Sequence, residues 1–186
     1  MFRLTVDEEI ELRLLEKKHA EELFILVEKN RSYLREWLPW LDITTSPADT
    51  TQFIQSSLDQ FAANNGFQTA IFYRGRLVGM IGFHKIDWPN RATSIGYWLD
   101  ADAQGRGIIS RSCRFLIDYV FREFGLNRVE IRCAVKNQRS CAIAERLGFS
   151  REGLMRQAEW LYDHFVDHIV YSLLEEEWSA STNLDH

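Results

Sequence analysis

The chain has 186 residues, 46% of them apolar and 26% charged, with a formal net charge of −5 at pH 7. That length suits one domain with a real core, and the apolar share excludes an intrinsically disordered chain. The acidic excess argues against a surface built to grip nucleic acid, so an anionic ligand must be held by a local cluster of donors.

The opening Met1-Phe2-Arg3-Leu4-Thr5-Val6-Asp7-Glu8-Glu9 turns acidic too early for a signal peptide. No apolar run approaches the ~18 residues that span a bilayer. Cys113, Cys133 and Cys141 are odd in number and form no CxxC pair. They read as reduced thiols of the cytoplasm rather than a disulfide frame or a structural zinc site. No Gly/Ser-rich linker, repeat or low-complexity tract divides the sequence. A single domain over residues 1–178 is expected, followed by a short polar tail, 179–186.

In chain order, residues 9–15 suit a short strand. Ala20, Leu23, Phe24 and Val27 then recur at helical spacing. The stretch Leu34-Arg35-Glu36-Trp37-Leu38-Pro39-Trp40-Leu41 is unusually aromatic for a connection. Ser46-Pro47-Ala48-Asp49 has the makings of a helix start: Ser at N-cap, Pro at N1 and an acid at N3, with Phe53, Ile54, Leu58 and Phe61 continuing the helix. Residues 67–73 and 77–84 flank Arg74-Gly75-Arg76 as a tight hairpin. After a turn at Asp87-Trp88-Pro89-Asn90, a third strand over 93–99 completes an antiparallel meander. Ile109, Cys113, Leu116, Ile117, Val120 and Phe124 mark an amphipathic helix, and Gly125 stands where a glycine would end it. A strand over 128–135 puts Val129, Ile131, Cys133 and Val135 on one face. A helix over 138–147 stops at Gly148, and strands near 151–159 and 165–174 follow. The fold class is α/β (α+β), with a mixed sheet.

The most informative stretch runs from Ile95 to Ser110, where a strand enters a glycine-bearing loop and passes straight into a helix. Glycines let the backbone approach a ligand, and the N–H groups of a helix start suit an anion such as a pyrophosphate. There is no G-x-x-x-x-G-K-[ST] and no G-x-G-x-x-G, which disfavours a nucleotide triphosphatase or a dinucleotide fold.

Gln104-x-x-Gly107 resembles the Q/R-x-x-G-x-G/A signature of the GNAT acetyltransferases. Asn137-Gln138-Arg139-Ser140, leading to Glu145-Arg146-Leu147-Gly148-Phe149, is similar to that family's next motif, and Arg156-Gln157-Ala158-Glu159 and the final strand also match. The resemblance covers nearly the whole chain and is nearest to bacterial ribosomal-protein-serine N-acetyltransferases. It implies a mostly antiparallel central sheet of about six to seven strands with about four helices. It also implies acetyl-CoA as cosubstrate, no metal, and a homodimer.

Residue by residue, the resemblance implies that the backbone of Gln104, Gly105, Arg106, Gly107, Ile108, Ile109 and Ser110 cradles the pyrophosphate, with Arg106 adding positive charge. The N–H of Leu99 would bind the acetyl carbonyl and stabilise the developing oxyanion. Asn137 would bind the pantetheine arm, in a slot where the family's strands part after this position. Two departures stand out. Ile109 replaces a small residue, so the loop is expected to be less tight there. Ala144 occupies the position of a tyrosine that many members use as a general acid.

An α-amine, with a pKa of about 7.7–8.0, is roughly a quarter to a third neutral at pH ~7.5, whereas a lysine amine is neutral only about one part in a thousand. One carboxylate, acting directly or through water, would suffice as base for the former. Glu159 matches the position with that role in the ribosomal-protein enzymes; otherwise it is a solvated strand-end glutamate. Ser140 matches the residue that protonates the leaving thiolate, and it also reads as a helix N-terminal cap. Tyr97 and Tyr162 are fallback acids. His164 and His168 lie four apart on a strand, a poor metal pattern. Cys141 reads as a core thiol. Trp37, Trp40 and Trp160 could line the acceptor pocket, though Trp37 and Trp40 suit core packing equally. Substrate choice in such folds lies in the 33–46 region and the 161–165 turn.

The expected function is acetyl transfer by direct attack to an amine, the α-amine of a protein N-terminus and of a ribosomal protein in particular. The alternatives are acetylation of a small amine (polyamine, aminoglycoside or toxin nucleotide) and a non-catalytic acyl-CoA-binding module. Neither a membrane nor a nucleic acid is an expected partner.

Overall fold

A computed structural model describes residues 2–182. The strands are β1 (Arg3–Thr5), β2 (Ile10–Leu14), β3 (Gln68–Tyr73), β4 (Arg76–Phe83), β5 (Ala92–Leu99), β6 (Arg128–Ala134), β7 (Ser150–Leu161) and β8 (His164–Leu174). The helices are α1 (Ala20–Arg35), α2 (Pro47–Ala62), α3 (Ile108–Arg122), α4 (Gln138–Arg146) and α5 (Glu175–Thr182).

Local chemistry explains several boundaries. Ser46 and Asp49 form a reciprocal capping box with Pro47 in the first turn, and the Ser46 N–H donates to the Asp49 carboxylate at 2.9 Å. Gly125, at φ +61°, supplies the left-handed turn after α3. Two elements exceed the sequence expectation. β1 is only three residues long, too short to show periodicity. α5 follows β8 without a break and opens on Glu175, Glu176 and Glu177, whose charges favour a helix start. Residues 179–182 of the expected tail lie in α5, and 183–186 lie outside the described residues.

All eight strands join one sheet in the order β1-β2-β3-β4-β5-β6-β8-β7. Each neighbouring pair is antiparallel except β5 with β6. Alternation along the strands splits the core between two faces. Ile71, Ile81 and Phe83 meet the buried stripe Ile109, Cys113, Leu116, Ile117 and Val120 of α3, together with Val129 and Ile131 of β6. Ala70, Phe72 and Met80 face the other way, against Leu23 and Leu26 of α1 and Ile54 of α2. Each Val, Leu, Ile, Phe or Met among them contributes about 1.5–3 kcal/mol of burial. Phe53 and Phe61 of α2 and Val135 beyond β6 are instead exposed. Among the described residues no helix is long and apolar enough to cross a membrane.

Candidate active site

Strands β5 and β6 pair in only three registers, Ala92 with Arg128, Thr93 with Val129 and Ser94 with Glu130. Beyond these the strands part, while β4 stays with β5 to Leu99 and β8 stays with β6 to Ala134. The parting therefore begins well before Asn137. A cleft of ≈ 2220 Å³ occupies this region and brings together Leu99, the glycine loop, Asn137, Ser140 and Glu159. The Asp100 N–H donates to Val78 O at 2.7 Å. Strand alternation therefore turns the Leu99 N–H to the opposite edge of β5, toward the parted β6.

The loop after β5 ends in Gly107, the N-cap of α3, at φ +69°, with Gly105 at φ +75°. A Cβ at either position would meet nothing within 4 Å. These glycines thus answer a backbone requirement, since a left-handed L-residue costs about 1–2 kcal/mol. The first-turn N–H groups of Ile108, Ile109 and Ser110 have no acceptor inside the helix, and no acidic residue stands in that turn. An anion is the partner they suit. Ile109 is buried in the core, so its bulk lies beneath the loop. Two arginines of α4 reach back to this segment: Arg139 donates to Gln104 Oε1, and Arg146 donates to Ser110 Oγ at 3.1 Å. Arg106 is exposed, donates to Asp102 O at 3.4 Å and stands outside the cleft lining.

Helix α1 anchors the same loop from the other side. The buried Asp100 carboxylate accepts from Lys29 Nζ at 2.8 and 3.0 Å, and Asn30 Oδ1 accepts from the Ala101 N–H at 3.0 Å. Burial pushes the Asp100 pKa up, but Lys29, Asn30 and the Asp102 N–H outweigh it and hold the group below its ordinary value. Sequence reasoning passed over these residues because Lys29 and Asp100 lie 71 positions apart.

Asn137, not Ser140, caps α4: its side chain accepts from the Ser140 N–H at 3.2 Å. The Ser140 hydroxyl is left to side-chain partners, Tyr97 Oη at 3.0 Å and Cys133 Sγ at 3.2 Å. Burial, with the nearby thiols, pushes the Tyr97 hydroxyl well above its ordinary pKa, and it pushes the Cys133 thiol to about 12. Both hold their protons at neutral pH. Cys113, Cys133 and Cys141 are all free and buried, and Ala144 is fully buried.

Glu159 faces the cleft with His168 of β8, whose Nε2 stands 3.2 Å from Glu159 Oε2. The sequence weighed His168 only as a poor metal ligand; its place beside Glu159 depends on its position on the same face as the cleft-lining end of β6, paired with Ala134. His164 contacts Asp163 instead, and among the described residues no group of three or more metal-binding side chains comes together. Trp37 and Trp40 line the cleft, Trp40 lying 6.3 Å from Trp98 between ring centroids. Trp160 is exposed, packs edge-on against Phe165 at 4.7 Å and is not part of the lining. Tyr162 donates to Leu38 O, on the loop between α1 and α2.

Comparison with known proteins agrees with this geometry. Residues 9–150 match the Acetyltransferase (GNAT) domain. The chain is 42% identical to a Bacillus subtilis (strain 168) protein named "Putative ribosomal N-acetyltransferase YdaF", over 97% of this chain and 99% of that one. The solved structure of RimL, a ribosomal L7/L12 alpha-N-protein acetyltransferase, in complex with coenzyme A superposes with a TM-score of 0.91 at 33% identity, covering 95% of this chain and 99% of the other. That of MccE, the microcin C7 self immunity acetyltransferase, with acetyl-CoA and AMP gives a TM-score of 0.87 at 32% identity, with 91% and 94% covered. The parted sheet, the glycine loop and these likenesses converge: the chain belongs to the GNAT family of acetyl-CoA-dependent N-acetyltransferases.

Proposed function

We propose that the acceptor is the α-amine of a protein N-terminus, that of a ribosomal protein in particular, and that the chain acts in the cytoplasm as a homodimer. The observation that carries the acceptor is the Glu159 carboxylate, set at the cleft beside His168, which is base enough for an amine already partly neutral near pH 7. The names of YdaF and RimL support a ribosomal target. The buried free thiols suit a reducing compartment. Exposed Leu154, Met155, Trp160 and Phe165 on β7 and β8 suit contact with a second copy, which sedimentation would test.

Acetyl-CoA, when bound, supplies a thioester-activated acetyl group. The open first turn of α3 and the unobstructed Gly105 and Gly107 fit a pyrophosphate, so Gln104–Ser110 is the segment that holds it. The Leu99 N–H donates to the acyl oxygen, and Asn137, whose Oδ1 is engaged as a cap, has its amide N–H groups for the pantetheine arm. Glu159 accepts the amine proton. Ser140, hydrogen-bonded to the protonated Tyr97, gives its proton to the departing sulfur and regains one from solvent, to which Glu159 releases the amine proton. Trp37 and Trp40 form the acceptor wall.

A second reading, acetylation of a small amine, is favoured by the likeness to MccE, whose structure contains AMP. Acetyl-CoA turnover with a free N-terminal serine peptide, the same peptide N-blocked, and spermidine separates the readings. Turnover of the free peptide alone supports the first, turnover of spermidine alone the second, and binding without turnover of either leaves an acyl-CoA-binding module. Mass spectrometry of ribosomal proteins from cells with and without the protein then identifies the target.

A further inference from the structure

The loop between α1 and α2 carries Trp37, Leu38 and Trp40 to one wall of the cleft, and the β7–β8 hairpin carries Ala158 and Glu159 to it as well. These two segments are joined by one side chain. Tyr162, in the hairpin turn, donates its hydroxyl to Leu38 O and accepts from the Leu41 N–H at 3.3 Å. Its ring packs, as Leu38 and Trp40 also do, against the buried cluster of Val27, Leu34 and Leu41, and the Arg35 guanidinium lies 3.7 Å from the ring centroid. Arg35, at the end of α1, is itself held by a bidentate pair with Asp42 of the loop at 2.8 Å.

Much of the loop's backbone bonding is to side chains rather than to a neighbouring strand. Arg31 donates to Leu41 O and Thr44 O, and Tyr162 takes Leu38 O and the Leu41 N–H. A polar backbone group drawn away from water needs such a partner, so these contacts set where the loop stands. Tyr162 also adopts φ +58°, a left-handed conformation uncommon for a bulky residue, which surrounding contacts must hold in place. Burial raises the pKa of its hydroxyl, which keeps the proton it donates.

We propose that Tyr162 is a positioning residue for the acceptor, a latch that fixes the Trp37–Trp40 wall against the Glu159 hairpin without touching the coenzyme segment. This rests on the assignment of these walls to the acceptor. The reacting proton transfers do not pass through it, because its hydroxyl is committed to the loop backbone.

Tyr162→Phe keeps the ring beneath Arg35 and removes both hydrogen bonds to the loop. With a free N-terminal serine hexapeptide and with spermidine as probes, the expected result is a rise in acceptor KM of roughly tenfold, the scale of a lost hydrogen-bond pair. The kcat and the KM for acetyl-CoA should change less than about twofold. A fall in kcat at unchanged acceptor KM would overturn the latch and return Tyr162 to the acid role. Hydrogen exchange on the acetyl-CoA-bound full chain gives a readout free of any acceptor. The 36–44 amides should exchange roughly tenfold faster in Tyr162→Phe, and also in Arg35→Gln, while the 104–116 amides stay as in the parent. Unchanged exchange over 36–44 in both variants overturns the proposal. If the parent enzyme turns over neither probe, the acceptor assignment fails, and the exchange result still decides whether Tyr162 latches the loop.

Discussion

The imidazole of His168 reaches Glu159 from the neighbouring strand, Nε2 to Oε2 at 3.2 Å, so the two strands of the outer hairpin present a carboxylate–imidazole pair to the cleft. A base held by a partner keeps its orientation when an acceptor enters. Glu159→Gln should lower kcat/KM for an α-amine peptide by about 10²–10⁴-fold near pH 7. The loss should shrink toward pH ~9, where the amine is already neutral. His168→Ala should cost only a few-fold, because the carboxylate remains. A pH–rate series on the three proteins checks both, and a parent-like rate for Glu159→Gln at pH ~7 would remove it from the mechanism.

Ser140 and Asn137 separate the proposed proton donation from capping. The cap of α4 uses the Ser140 backbone N–H and the Asn137 side chain, so Ser140→Ala leaves it intact. Turnover should fall roughly ten- to a thousandfold, because a thiol with a pKa of about 8.5 still gains from a proton donor. The melting temperature should hardly move. Asn137→Ala should instead lose about 1 kcal/mol, or about 2–4 °C. Measuring stability and turnover on the same samples tests this, and a parent-like turnover in Ser140→Ala would leave proton donation to water or to another group.

At the coenzyme loop, backbone geometry should outweigh side-chain charge. Arg106 points outward and bonds Asp102 O, so Arg106→Ala should raise the acetyl-CoA Kd by no more than about threefold. Gly107→Val forces a β-branched residue to φ +69° and sets a side chain over the helix start. It should abolish measurable binding while the fold persists, since its Cβ meets no protein atom within 4 Å. Equal, small changes in calorimetric Kd for both variants would count against the loop assignment.

The Lys29–Asp100 pair ties that loop to acid stability. Asp100 titrates below its ordinary value of 3.8 in the folded chain, so its contribution is present above pH 3.8 and is lost as pH falls through the depressed folded value. Asp100→Asn should therefore destabilise the protein at pH 7 by about 1–3 kcal/mol. The gap in melting temperature between parent and variant should close as pH drops below that value. A gap that persists undiminished at pH ~2 would contradict the assignment.

Features written in a few adjacent residues were legible in the sequence. The Ser46–Asp49 capping box, the Arg74-Gly75 turn and the apolar stripe of α3 all follow from local spacing. The Gln104–Ser110 loop was placed correctly at the start of α3 for the same reason. What was missed depends on chain crossings: Lys29 meets Asp100 across 71 residues, and Tyr162 reaches Leu38 across 124. Trp160 shows the opposite case, in which a local rule was available. It follows Glu159 on a strand, and successive side chains point to opposite faces, so a cleft-facing Glu159 turns Trp160 outward.

The three-register junction of β5 and β6 makes this sheet two plates riveted at one end. Sheet edges, with their rows of donors and acceptors, ordinarily lie at the periphery of a protein, yet here two of them face each other indoors. A molecule that bridges those edges does mechanical as well as chemical service, since it joins plates that the chain itself leaves apart. Coenzyme bound there should therefore couple folding to coenzyme supply. At a hundredfold excess over Kd, acetyl-CoA should add about 2.7 kcal/mol, raising the melting temperature by about 5–10 °C. In a starved cell, where acetyl-CoA falls, the enzyme would lose both its substrate and part of what holds its halves together.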